Sequence, residues 1–254
     1  MLPPMTGERL DGRCAVVTGG GRGFGERIAL ELDALGAAVA VLDIDEAAAQ
    51  RSAAGLARGL AVACDIGDEA SVRSAFAAVR RDLGTVDILV NNAGIVSTTP
   101  FLQLDEEEWD RVFRIDYTSM YLTCREVAAA MVEQRYGRIV NISSLAGKQG
   151  GGFLGKAAYV AAKAGVIGFT KALARELSPA GVTVNAVAPG AMDTEMTKVL
   201  RDDQAMLARV LALIPLGERG TIQDVADTVV FLCSGAASYL TGETVDVDGG
   251  VLME

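Results

Sequence analysis

An alternation of strand-like and helix-like segments constrains this chain more than any other feature. Short apolar or β-branched runs occur at Ala15–Thr18, Ala38–Leu42, Ala61–Cys64, Asp87–Asn91, Arg138–Ile142, Thr183–Ala188 and Thr244–Val247, separated by longer stretches of helical periodicity. The first of those stretches, Phe24–Leu35, sets Ile28, Leu32 and Leu35 on one face. Strands that are apolar throughout are those covered on both sides, the condition of parallel strands joined through helices. Right-handed crossovers then predict an α/β fold of Rossmann type: a doubly wound, mainly parallel seven-stranded sheet with helices on both faces. No linker, repeat or low-complexity segment divides residues 1–254, so a single domain is expected.

Composition narrows the classes of chemistry. A formal net charge of −10 sets a like-charged surface against a phosphate backbone, so no nucleic-acid partner is expected. The same charge disfavours an acidic carrier protein unless a local basic patch, such as one at Arg135 and Arg138, overrides it. Cys14, Cys64, Cys124 and Cys233 are scattered without a CxxC pair, which predicts reduced, buried thiols in a cytoplasmic protein. No apolar run reaches the roughly 18 residues that a membrane span requires, and Met1–Gly12 lacks the charged-then-apolar pattern of a signal peptide. Above all, the chain has no histidine. That excludes a Ser-His-Asp hydrolase, a His-ligated zinc enzyme and a histidine general base, and no metal site is expected. Acid–base work near neutral pH must then use a side chain with a shifted pKa.

The first strand runs into Thr18-Gly19-Gly20-Gly21-Arg22-Gly23-Phe24-Gly25 and then a helix. Gly19, Gly23 and Gly25 let the backbone turn tightly and approach a pyrophosphate at the positive helix N-terminus. The spacing is TGxxxGxG, slightly different from the common GxGxxG. Asp43 ends the second strand, 18 residues after Gly25, where an acid can bind the ribose hydroxyls of NAD. Arg22 points the other way, since a base beside the loop suits the 2′-phosphate of NADP. No Lys or Arg follows Asp43 at Ile44 or Asp45. Two like charges about 4 Å apart cost about 4 kcal/mol at an effective dielectric of 20, and even a severalfold discount for solvent favours NAD.

At the other end of the chemistry, Asn141-Ile142-Ser143-Ser144 is followed by a glycine-rich loop and Tyr159-Val160-Ala161-Ala162-Lys163. Residues four apart share a helix face, and Tyr159, Lys163, Val166, Thr170 and Leu177 fall close to one stripe, so the lysine tends inward. Buried lysines are rare without a partner or a task. Removing hydride from a carbinol requires its hydroxyl proton to leave. Free tyrosine has a pKa near about 10, too high to serve as the base near neutral pH. A neighbouring ammonium stabilises phenolate, and a shift of about 2–3 units asks for only about 3–4 kcal/mol. Ser144 can donate a hydrogen bond to the reacting oxygen.

In order along the chain, TGGGRGFG, Asp43, Asp65, Asn91-Asn92-Ala93-Gly94, Ser144, Tyr159-x-x-x-Lys163, Pro189-Gly190, Thr194 and Asp248-Gly249-Gly250 closely resemble the short-chain dehydrogenases/reductases in their compact single-domain form. The resemblance covers essentially the whole length. It implies adenine contact at Asp65, support of the central strand and cofactor by the turn holding Asn92, Ala93 and Gly94, and carboxamide contacts around Pro189, Gly190, Met192 and Thr194. It implies that Lys163 also binds the nicotinamide ribose, that Phe24, Ile44, Ile66 and Tyr159 complete the NAD-binding set, and that the protein is a homotetramer.

One position departs from the family. Its fourth catalytic residue, normally Asn, is here Asp116, which shares an inward helix face with Trp109, Phe113 and Met120. An acid there brings negative charge toward Lys163, stabilising ammonium but opposing phenolate, and raises the expected pH optimum. Residues 191–216, with Met192, Met196, Leu200, Met206, Leu207 and Leu211, resemble a mobile substrate lid. Ser144, Gln149, Phe153, Tyr159, Met192 and Met196 are the expected substrate contacts. No convergent arginine pair announces a carboxylate substrate. The expected activity is NAD-dependent interconversion of a secondary alcohol or polyol and a ketone. Reduction of a 3-oxoacyl group on a carrier protein is the alternative, and a non-enzymatic NAD sensor a second one.

Overall fold

The computed structural model describes residues 9–151, 155–194, 197 and 203–253. Seven strands form one sheet: β1 (Cys14–Thr18), β2 (Ala38–Asp43), β3 (Gly59–Ala63), β4 (Ile88–Asn91), β5 (Gly137–Ile142), β6 (Val182–Pro189) and β7 (Thr244–Val247). Their order is β3-β2-β1-β4-β5-β6-β7 and every pairing is parallel. Every strand expected from the apolar runs is present. The largest displacement is at β3, which starts two residues early, at Gly59, because its register is set by pairing with Val39–Asp43 rather than by its own weak pattern. As an edge strand it is half exposed, so burial marks its limits poorly.

The helices are α1 (Gly23–Ala34), α2 (Glu46–Ala54), α3 (Glu69–Asp82), α4 (Glu106–Phe113), α5 (Ser119–Glu133), α6 (Leu145–Gln149), α7 (Ala157–Leu177), α8 (Gln204–Leu211) and α9 (Ile222–Cys233). Alternate residues of each strand feed two cores. Val17, Val41, Val90 and Val140 pack with Ile28 and Leu32 of α1 and with Val225 and Val229 of α9. On the opposite face Val16, Leu42, Leu89 and Ile139 pack with Phe76 of α3 and with Val127 and Met131 of α5. Each such side chain contributes about 1.5–3 kcal/mol on burial. The four cysteines are free and buried within these layers. Among the described residues no helix is long and apolar enough to cross a membrane.

The chain leaves β1 toward β2 and β3 on one side and returns to β4 on the other. At such a switch the loops beyond the carboxyl ends of the two strands part, and a crevice opens between them.

Candidate active site

The glycine turn lies at that crevice. Gly19 and Gly23 have φ of +61° and +60°, conformations that side-chain-bearing residues rarely adopt. A Cβ on Gly25 would run into the Gly19 carbonyl oxygen, so the first turn of α1 packs directly on the loop. The turn after β4 holds this loop in place. The Asn92 side-chain amide donates to the carbonyls of Thr18 (2.9 Å) and Gly19 (3.0 Å), while Thr18 Oγ1 accepts from the amides of Asn92 (3.0 Å) and Ala93 (3.1 Å). No side chain caps α1, whose N-cap is the exposed Arg22, and the space a Cβ of Gly23 would fill is open. Uncapped helix amides facing open space accept an anionic group, so these residues fit the pyrophosphate of a dinucleotide.

Asp43 closes one side of the cradle. Its Oδ2 accepts from the Gly21 amide at 2.9 Å and its Oδ1 from the Asp45 amide at 3.0 Å. A carboxylate has about four acceptor sites, so two remain for a ribose diol. Ile44 beside it is 72% exposed. Asp65 is exposed and accepts from the Gly67 amide at 2.8 Å, with Ile66 buried next to it.

A cleft below the glycine turn brings Asp116, Ser144, Tyr159 and Lys163 together, with Phe24, Asn92, Gly94, Pro189, Gly190, Met192 and Thr194 also on its wall. Lys163 is 4% exposed, and its Nζ donates to the Ile142 carbonyl at 3.0 Å and lies 5.8 Å from the centre of the Tyr159 ring. Ser144 begins α6, its Oγ accepting from the Ala146 amide at 3.2 Å, which leaves its hydroxyl proton free to point into the cleft. Asp116 lies in a widened π turn, Arg114–Thr118, between α4 and α5. Its carboxylate is buried, with Oδ1 accepting from the Ile95 amide at 2.7 Å and Oδ2 3.5 Å from Lys163 Nζ. Burial pushes this carboxyl above the ordinary range, against the pull of the Lys163 ammonium and the Ile95 N–H.

Two substrate contacts expected from the sequence, Phe153 and Met196, lie outside the described residues. Gln149 is a correction: it is the last residue of α6, exposed, and its amide donates to the Gly151 carbonyl at 2.9 Å rather than lining the cleft. The helix is too short to turn it inward before the left-handed Gly150 ends it. Arg138 is a second correction. It is 6% exposed, stacked 4.5 Å from the Tyr136 ring, so the basic patch imagined at Arg135 and Arg138 does not form. Met192 is 3% exposed and shared between the cleft wall and the core.

Several supporting residues escaped the sequence reading. Ser143 Oγ donates to the Lys163 carbonyl at 2.8 Å and pins α7 to β5. A buried chain of hydrogen bonds runs from Thr123 to Asn91 (2.7 Å), from Asn91 to Asn141 (2.9 Å) and from Asn141 to Thr170 (2.9 Å), tying α5, β4, β5 and α7 together. The available signal was two amides placed inside otherwise apolar strands. Gly147 also matters, since a Cβ there would press on the backbone of Lys163 and Ala164.

Comparison with known proteins bears on this geometry. A family model described as enoyl-(acyl carrier protein) reductase matches residues 19–252. A curated relative, the 3-oxoacyl-[acyl-carrier-protein] reductase FabG of Escherichia coli (strain K12), is 43% identical over 96% of this chain and 98% of its own. A solved structure titled ribose-5-phosphate isomerase, from Brucella melitensis 16M, superposes with a TM-score of 0.90 at 40% identity, covering 97% of this chain and 95% of that one. Another, a putative gluconate dehydrogenase from Agrobacterium tumefaciens, gives 0.91 at 36% identity over 97% and 98%. Two different names on nearly one backbone mean that the fold alone does not select the substrate.

Proposed function

The chain belongs to the short-chain dehydrogenases/reductases, oxidoreductases that use a nicotinamide cofactor, and from that premise we propose that it reduces the keto group of a 3-oxoacyl thioester carried on acyl carrier protein. The observation that carries the chemistry is the convergence of Ser144, Tyr159 and Lys163 on one cleft beside the uncapped end of α1. The name of the curated relative supports the substrate class.

A dinucleotide held by its pyrophosphate at the glycine turn would supply the hydride that the carbonyl carbon receives. Tyr159 gives its phenolic proton to the carbonyl oxygen, which becomes the hydroxyl of the product. Ser144 donates a hydrogen bond to the same oxygen as charge develops on it, a contact that strengthens toward the transition state. Lys163, anchored on the Ile142 carbonyl, places positive charge beside the phenol and two further N–H donors within reach of a ribose. Asp43 holds the adenosine ribose and repels a 2′-phosphate, which supports NAD over NADP. The lid expected over residues 191–216 lies partly outside the described residues, and the assembly is a homotetramer.

A second reading, NAD-linked interconversion of a free secondary alcohol or polyol and its ketone, is favoured by Asp43 together with the net charge of −10. Reductive synthesis usually draws on NADPH, and an acidic surface offers an acidic carrier little general attraction. Nicotinamide absorbance, followed with an acetoacetyl thioester on carrier protein and with a panel of polyols and ketones, separates the two. Turnover of the thioester at least tenfold above any free ketone is expected. Turnover confined to polyols or free ketones overturns the first reading, and kcat/KM higher with NADPH than with NADH overturns the cofactor assignment.

A further inference from the structure

Where the family carries an amide, this chain carries a buried acid. The Asp116 carboxylate is shielded from solvent, and among the described residues its Oδ2 has no hydrogen-bond partner of acceptable geometry although it stands 3.5 Å from Lys163 Nζ. Among the described residues the charged groups that act on it are Lys163 from α7 and Arg111 from α4, while the loop after β4 presents the Ile95 amide at 2.7 Å. Gly94 leaves room for this meeting: a Cβ there would stand 3.2 Å from Lys163 Nζ and 3.4 Å from Asp116 Oδ1. Asp116 sits within the π turn at Arg114–Thr118, a widened turn of the kind common at functional sites.

We propose that Asp116 is a positioning residue that acts through Lys163, offsetting the ammonium charge that would otherwise favour the Tyr159 phenolate, so that the site favours donating a proton to a carbonyl over the oxidative direction. An ammonium stabilises a neighbouring phenolate only to the extent that its charge is uncompensated. Asp116 compensates it from a carboxylate with no exposed side-chain surface, where screening is weak. Burial raises the Asp116 carboxyl above the ordinary range while the Lys163 ammonium and the Ile95 N–H pull it back, so the carboxylate and the ammonium hold each other in their charged forms. The inference rests on Tyr159 being the proton donor of the proposed reaction, and it adds which protonation state that donor holds at rest.

The test needs neither substrate nor cofactor. Ultraviolet difference titration of tyrosinate, with Tyr159→Phe as the reference, reads the ionisation of Tyr159 alone. Asp116→Asn keeps an oxygen for the Ile95 amide, removes the charge, and is expected to lower the Tyr159 midpoint by about one unit or more. The alkaline limb of the oxidative pH–rate profile should move down by the same amount. A midpoint unchanged in Asp116→Asn overturns the proposal. So does an alkaline limb of the oxidative profile that stays in place in Asp116→Asn. Because the titration involves no substrate, a wrong substrate class leaves it intact, and an active 3-oxoacyl reductase with an unmoved midpoint overturns this inference alone.

Discussion

Ser143 and Ser144 are neighbours in sequence with unrelated tasks. Both line the cleft just beyond β5, but the Ser143 hydroxyl is spent on the Lys163 carbonyl while Ser144, at the N-cap of α6, keeps its hydroxyl proton free. Ser144→Ala is expected to lower kcat by about 100-fold or more with little change in KM, since its hydrogen bond strengthens in the transition state; steady-state kinetics checks it. Ser143→Ala should instead cost about 1 kcal/mol of stability, read from urea unfolding. Tyr159→Phe should lower turnover by about two to four orders of magnitude while cofactor binding, followed by fluorescence, persists. At Asp43 the expected effect is on selectivity. Asp43→Ser removes the charge beside a 2′-phosphate and should shift the kcat/KM ratio toward NADP by about tenfold or more, the equivalent of a like-charge cost near 1.4 kcal/mol. Tyr159, Lys163, Ser144 and Asp43 were all legible because each sits at a fixed offset from a strand end or on a helix stripe. Ser143 and Gln149 were not, since which way they face depends on where a strand stops and a very short helix begins.

Elements were legible in proportion to their apolar content. α1 and the central strands came within a residue or so of their expected limits, because alternation between two buried faces leaves no other register. The π turn was invisible: the stripe through Trp109, Phe113, Asp116 and Met120 correctly turned Asp116 inward, but one extra residue per turn is not a pattern that 3.6-residue periodicity can reveal. α9 is locally encoded. Thr221 and Asp224 form a reciprocal capping box at its start, and the helix packs along α1 beneath the cofactor cradle. Thr221→Ala should destabilise the protein by about 1 kcal/mol, lowering the thermal midpoint by a few degrees while kcat at 25 °C is unchanged. Calorimetry and a single-temperature assay check both halves.

At the scale of the whole molecule, the two cores swallow all four thiols. Burial pushes Cys14, Cys124 and Cys233 up to about 12 and Cys64 to about 11. A thiol reagent at pH 8 should therefore find none of them in the native protein and all four in denaturant. These raised values also carry a sign for stability. The folded thiols resist ionisation that the unfolded ones undergo near 9.0, so stability is intact below that pH and is lost as pH climbs toward about 12. A fall in the denaturant midpoint over that window is expected. What the sequence alone determined is the architecture and the identity of the chemical groups: apolar runs at regular spacing admit a doubly wound parallel sheet, and a chain without histidine leaves a tuned tyrosine to move the proton. Only the tertiary structure decided their electrostatic company. Asp116, Lys163 and Gly94 lie on three segments far apart in the chain, and their approach to within a few ångströms is fixed by how β4, the π turn and α7 pack. Charge interactions fall with distance and rise with burial, and neither quantity exists until the chain has folded.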